Sequence, residues 1–163
     1  MKLSLAEKKD LDSVLELYEI AKKTKYCVWD DEYPTIENIN FDFEHDCLYV
    51  LKDDDKVIGA ISINYENEFD DYPDLWLYTK DSCEIARLVV NPEYQNKGFG
   101  EFIIKEMSKI LSEKGYYCIH LAVAVNNLPA VRLYDKCGFL QDCTTYMFDN
   151  YYYFYEQRID RIK

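Results

Sequence analysis

The sequence predicts an α/β (α+β) chain in which a central mixed sheet of about six to seven strands carries helices on its faces. Three observations lead there. Apolar patterns of strand period and helix period alternate along the 163 residues. Turn residues such as Asn91-Pro92, Gly115 and Gly138 separate them. No Gly/Ser/Pro-rich linker and no repeat interrupts the chain, so a single domain over residues 1–163 is expected.

Lys2 to Ala6 alternates as a first strand. Asp10 is placed to cap a helix through about residue 23, with Leu11, Val14, Leu15 and Tyr18 on one face. Pro34-Thr35 opens a shorter helix carrying Ile36, Ile39, Phe41 and Phe43. Cys47–Leu51 and Val57–Ile63 are strands joined by the polar turn Lys52-Asp53-Asp54-Asp55-Lys56. Tyr65 to Asp81 is loop-like and acidic, with Glu66, Glu68, Asp70, Asp71 and Asp74. Glu84–Val90 is an apolar strand stopped by Asn91-Pro92. Gly98 begins a helix that buries Phe102, Ile103, Met107, Ile110 and Leu111, and Gly115 ends it. Cys118–Val125 is a further strand. Asn127 caps a helix with Pro129 in its first turn; this helix runs through Tyr134 and stops at Gly138. Two strands follow, connected near Tyr146–Asn150, and the second contains the aromatic run Tyr151–Tyr155.

The net charge of -12 opposes binding to phosphate backbones or anionic membrane surfaces, which needs clustered Lys and Arg. A cationic partner is compatible with it, and so is plain solubility. No apolar run has the length of a signal peptide or a membrane span, so a cytoplasmic location is expected. In that compartment the six cysteines, which include no Cys-x-x-Cys pair, are expected to be thiols. His45 and Cys47 are two donors and do not make a metal site, so no metal is expected.

The chemistry concentrates in Arg87-Leu88-Val89-Val90-Asn91-Pro92-Glu93-Tyr94-Gln95-Asn96-Lys97-Gly98-Phe99-Gly100. A strand stops at a proline and a short turn delivers glycines to a helix start. Unpaired N–H groups there bind anions. Gly98 and Gly100 let phosphate oxygens approach the backbone, and Lys97 adds a positive charge. Neither the nucleoside triphosphate loop nor the three-glycine dinucleotide fingerprint is present.

This segment resembles the Gln/Arg-x-x-Gly-x-Gly/Ala signature of the GNAT superfamily of N-acetyltransferases. Asn126-Asn127-Leu128-Pro129-Ala130-Val131-Arg132-Leu133-Tyr134-Asp135-Lys136-Cys137-Gly138-Phe139 resembles the second signature of that family. Together they cover Glu84 to Phe139. The resemblance implies that acetyl-coenzyme A lies in a cleft where two parallel strands splay, here Glu84–Val90 and Cys118–Val125. It implies that the backbone around Leu88, Val89 and Val90 holds the acetyl carbonyl and pantetheine arm, with the Leu88 N–H as oxyanion donor. Gln95, Asn96, Lys97, Gly98, Phe99 and Gly100 would hold the pyrophosphate, and Asn127 the pantetheine. Tyr134 would be the general acid, against the reading of a mere core tyrosine among 16.

Glu84 is the candidate general base, acting through ordered water. By strand alternation it faces the same side as Leu88, about 13 Å away. A glutamate at the equivalent place, eleven residues before Gln95, works in some members of the family. A structural, ion-paired glutamate is the alternative. The branch acting on protein N-termini often carries a glutamate five residues before the asparagine, where this chain has Ala122. Trp29, Asp30, Asp31, Glu32 and Tyr33 fall in the region that forms the acceptor side in this family, which suggests a small cationic amine such as a polyamine or an aminoglycoside-like molecule. Acetylation of lysine or N-termini on proteins, and a non-catalytic acyl-coenzyme A sensor, remain open. The partners expected are acetyl-coenzyme A and an amine, with no nucleic acid and no membrane, in a monomer or homodimer.

Overall fold

A computed structural model describes residues 1–64, 69 and 72–159. The strands are β1 (Lys2–Leu5), β2 (Leu48–Asp53), β3 (Lys56–Asn64), β4 (Ser82–Val90), β5 (Cys118–Ala124), β6 (Leu140–Met147) and β7 (Asn150–Arg158). The helices are α1 (Leu11–Lys22), α2 (Ile36–Glu44), α3 (Phe99–Glu113) and α4 (Leu128–Lys136). The strands form a mixed sheet in the order β1-β2-β3-β4-β5-β7-β6. Every expected element is present, with ends within a few residues of those expected. Glu66, Glu68, Asp70 and Asp71 of the expected acidic loop lie outside the described residues. No helix among the described residues is long and apolar enough to cross a membrane.

The chain folds into two compact units. The first comprises Met1–Ile63 and Ala86–Ile103. Here β1, β2 and β3 run antiparallel in sequence. The apolar stripe of α1 (Leu11, Val14, Leu17, Tyr18) and Ile39 of α2 pack on Leu48, Val50, Val57, Ala60 and Val89. Each such side chain contributes roughly 1.5–3 kcal/mol by leaving water. Capping differs from expectation at the first helix. Asp10 makes no side-chain cap to α1. Its carboxylate instead accepts the Glu7 N–H at 2.8 Å and pairs with Lys52 at 2.8 Å. Thr35 and Asn38 form a reciprocal capping box at the start of α2.

The second unit comprises Asn64–Ile85 and Ile104–Lys163. Ser82–Glu84 of β4 pairs in parallel with Cys118–His120 of β5. β5 then pairs antiparallel with β7, and β7 with β6. Phe154 of β7 is fully buried and meets the Phe69 and Trp76 rings edge-on at 5.1 and 5.3 Å. Ala122, Cys143, Met147 and Tyr152 pack around it.

Candidate functional site

In the first unit, β4 ends at Val90 and Asn91-Pro92 turns the chain. The Asn91 N–H reaches back to the Ile58 carbonyl at 2.8 Å, and its side chain accepts the Glu93 N–H at 2.9 Å. Gln95 Nε2 donates to the Val90 carbonyl at 2.9 Å, and Lys97 Nζ to the Glu93 carbonyl at 2.7 Å. These bonds close the loop on itself. Asn96 (φ 57°) and Gly98 (φ 85°) adopt the left-handed conformation. Two such residues close together turn successive N–H groups to one side. At Gly98 a Cβ would meet nothing within 4 Å, so the glycine serves conformation and leaves open space above the loop. α3 begins at Phe99, and its first bond in this unit runs from the Phe102 N–H to the Gly98 carbonyl at 3.0 Å. The N–H groups before it have no intrahelical partner. Gln95, Asn96, Lys97 and Gly98 are exposed, and Phe99 and Gly100 are half-buried. A helix N-terminus of this form suits an anion.

The strand leading into the cradle departs from simple alternation. Arg87 is left-handed, at φ 53°. Alternation counted from Glu84 through Leu88 assumes an unbroken strand, so the expected shared side does not follow. Arg87 itself is held by Asp42, with Nε and Nη2 donating to the two carboxylate oxygens at 3.0 and 2.9 Å. Ser62 donates to the same carboxylate at 2.6 Å, and Arg87 Nη1 donates to the Tyr33 hydroxyl at 2.9 Å. Burial works against the guanidinium charge, yet Tyr33 and Asp42 hold its pKa above the ordinary value. Sequence reasoning passed over this network. Its signals were an arginine in an apolar strand and an aspartate within the helical span of Phe41 and Phe43.

The Trp29–Tyr33 segment lies in the same unit. Asp30 Oδ1 accepts the N–H groups of Glu32 and Tyr33, at 2.8 and 3.1 Å. Asp30, Asp31, Glu32 and Tyr33 are exposed. Trp29 is half-buried and packs edge-on against Tyr18 at 5.5 Å. Tyr33 precedes a cis proline, Pro34. One acidic side chain thus shapes the turn while its neighbours face water.

Asn127, Tyr134 and Glu84 lie in the second unit. Asn127 caps α4 by accepting the Ala130 N–H at 3.3 Å. The helix ends at Gly138 (φ 85°), where the Phe139 N–H closes onto the Tyr134 carbonyl at 3.1 Å. That closure sets Tyr134 against Phe139 and Tyr155, with ring centroids 5.6 and 6.3 Å away. The Tyr134 side chain is buried. Burial, with the nearby Cys137 thiol adding to it, raises its pKa, so it holds its proton throughout the neutral range. Tyr155 donates to Asp135 Oδ1, at 2.8 Å. Glu84 is 5% exposed and sits opposite His120 in the parallel register.

None of the six cysteines is in a disulfide. His45 Nδ1 contacts the Phe41 carbonyl at 2.7 Å, and the Cys47 thiol the His45 carbonyl at 3.4 Å.

Residues 14–139 match the acetyltransferase (GNAT) family. The chain belongs to the GNAT family. Among its curated relatives, spermidine N(1)-acetyltransferase of Vibrio cholerae is 35% identical over 57 residues, covering 34% of this chain and 33% of that protein. The ribosomal protein bS18-alanine N-acetyltransferase of Escherichia coli is 29% identical over 59 residues, covering 36% of this chain and 40% of that one. The matched stretch spans less than half the length of these relatives. An acetyltransferase of Salmonella typhimurium, solved with its cofactor acetyl-CoA, superposes with a TM-score of 0.75 at 18% identity, covering 99% of this chain and 95% of that one. At that identity the likeness shows the GNAT fold.

Proposed function

We propose that the chain, acting as one acetyltransferase domain, transfers an acetyl group from acetyl-coenzyme A to the primary amine of a small cationic molecule. The observation that carries the donor half is the α3 cradle, with left-handed Asn96 and Gly98 and open space over Gly98. Consecutive backbone N–H groups suit a pyrophosphate. Acetyl-coenzyme A supplies the thioester carbonyl. Leu88, Val89 and Val90 hold the acyl end and pantetheine arm through their backbone, and the Leu88 N–H stabilises the oxygen as negative charge develops. Asn127 contacts the pantetheine.

The amine loses its proton to Glu84 through ordered water and attacks the carbonyl carbon directly. The carbon–sulfur bond breaks, and the Tyr134 hydroxyl gives its proton to the leaving sulfur. Tyr134 holds its proton through the neutral range, so it has one to give. Tyr134→Phe should lower kcat about 100-fold or more. Acetyl-coenzyme A affinity, measured calorimetrically on the same variant, should scarcely change. Wild-type kcat in Tyr134→Phe removes the assignment.

The acceptor half rests on the net charge of -12 and the exposed Asp30, Asp31 and Glu32. Such a surface attracts cations. The relative named for spermidine agrees with this chemistry. The second reading, a basic peptide or protein N-terminus, is favoured by the relative named for bS18-alanine. Ala122, in place of a glutamate, weighs against its N-terminal form. Single-turnover transfer to a panel of polyamines, aminoglycosides and basic peptides separates the readings. Turnover on peptides alone overturns the small-amine proposal. Donor binding with no transfer to any amine identifies a sensor.

A further inference from the structure

One face of β5 and β7 carries a buried cluster for which acyl transfer has no use. Cys118 and His120 are two apart on β5 and project to one side. Glu156 of β7 is the register partner of His120. Their exposures are 1%, 4% and 2%. One donor atom from each lies within 4.8 Å of the other two, and His120 Nε2 is 3.7 Å from Glu156 Oε2.

Other groups hold these donors in place. The His120 ring stacks on Trp76 at 4.1 Å with 10° between the planes. Glu156 Oε2 accepts the N–H groups of Leu77 and Tyr78, at 3.1 and 3.2 Å. Ligands of bound metals are commonly oriented by such outer contacts. Asp142 enters from β6, where the register shifts between Gln141 and Cys143. Burial, then the charge of Glu156 and a side-chain hydrogen bond with it, raises the pKa of Asp142. Its Oδ2 is buried without a hydrogen-bond partner among the described residues.

A carboxylate and a thiol therefore converge on one imidazole. Buried charge of one sign is costly unless a cation compensates it. The donor set decides which cation. Magnesium and calcium take oxygen ligands, whereas sulfur, nitrogen and carboxylate together suit zinc.

We propose that Cys118, His120 and Glu156 are the three protein donors of a tetrahedral site for a zinc-class divalent ion, with water as the fourth ligand. Bonds of about 2.0–2.3 Å place tetrahedral donors roughly 3.5 Å apart, so the widest pair closes by about 1 Å on binding. The Cys118 S–H bond breaks, its proton passes to solvent, and the thiolate sulfur bonds the metal. Glu156 coordinates as the carboxylate, and His120 as neutral imidazole. The ion cross-links β5 and β7 and, through Glu156, fixes the Trp76–Tyr78 segment. Its role is structural.

The test is titration of the chelator-stripped full chain with Co²⁺, followed by absorption. One equivalent should bind, with a near-ultraviolet thiolate-to-cobalt band and the visible bands of a tetrahedral centre. Cys118→Ser should lose the near-ultraviolet band, and His120→Asn should weaken binding more than about tenfold. Zinc should raise the wild-type Tm in a concentration-dependent way. No stoichiometric binding by the wild-type chain overturns the proposal, whether or not the variants fold. So does a thiolate band that persists in folded Cys118→Ser.

Discussion

Arg87 shows how much one side chain holds. Its guanidinium forms a fork on the Asp42 carboxylate, a group only 2% exposed, and reaches Tyr33 as well. Removing one partner of a buried pair strands the other charge, which costs about 3–5 kcal/mol. Arg87→Ala should therefore lose about that much stability in urea denaturation. Arg87→Lys should recover only part of it, because an ammonium does not reproduce the fork. A loss below about 1 kcal/mol would mean that water already screens the pair. The same residue marks a limit of sequence reading. Alternation is a property of an unbroken strand, and no local pattern announces that Arg87 is left-handed.

At the scale of elements, the β3–β4 contact depends on Gly59. A Cβ there would lie 2.9 Å from Ile103 Cδ1 and 3.1 Å from the Val89 carbonyl oxygen. The methyl of Ile103 can move, but the backbone oxygen moves only with its strand. Gly59→Ala should cost about 1–3 kcal/mol, read as a fall in Tm. It should also weaken acetyl-coenzyme A binding in calorimetry, since Val89 is assigned to the acyl end. Unchanged affinity with lowered Tm would detach Val89 from that role. The elements themselves were legible because period and punctuation are local: Pro92 ends a strand, Gly138 ends α4, and Asn127 starts it. The Asp10 cap was misjudged for a tertiary reason, because Lys52 on β2 competes for its carboxylate.

For the whole molecule, two buried phenols link stability to pH. Tyr18 in the first unit and Tyr134 in the second both have pKa values raised by burial. The folded chain therefore holds these protons more tightly than the unfolded chain, whose phenols ionise near pH 10. Their contribution is whole below about pH 10 and is lost as pH rises beyond it, because the unfolded state then binds fewer protons. Denaturant midpoints should fall as pH rises from about 9 to about 11, the buried Cys118 thiol, whose pKa burial also raises, contributing at the lower end. Retained stability at the alkaline end would mean that the phenols ionise in place. Over the neutral range kcat should show no limb from Tyr134.

The family could be read from sequence alone, because its two signatures, Gln95 to Gly100 and Asn127 to Phe139, are each runs of neighbouring residues. What tertiary structure decided has long sequence separation. Asp42 meets Arg87 across α2 and β4, and Cys118 and His120 meet Glu156 through strand register. Sequence reading weighed His45 and Cys47 for a metal because they are near in the chain, and passed over donors nearly forty residues apart. Register brings such groups together through backbone hydrogen bonds, which every residue makes alike, so the side chains carry no local mark of their partners.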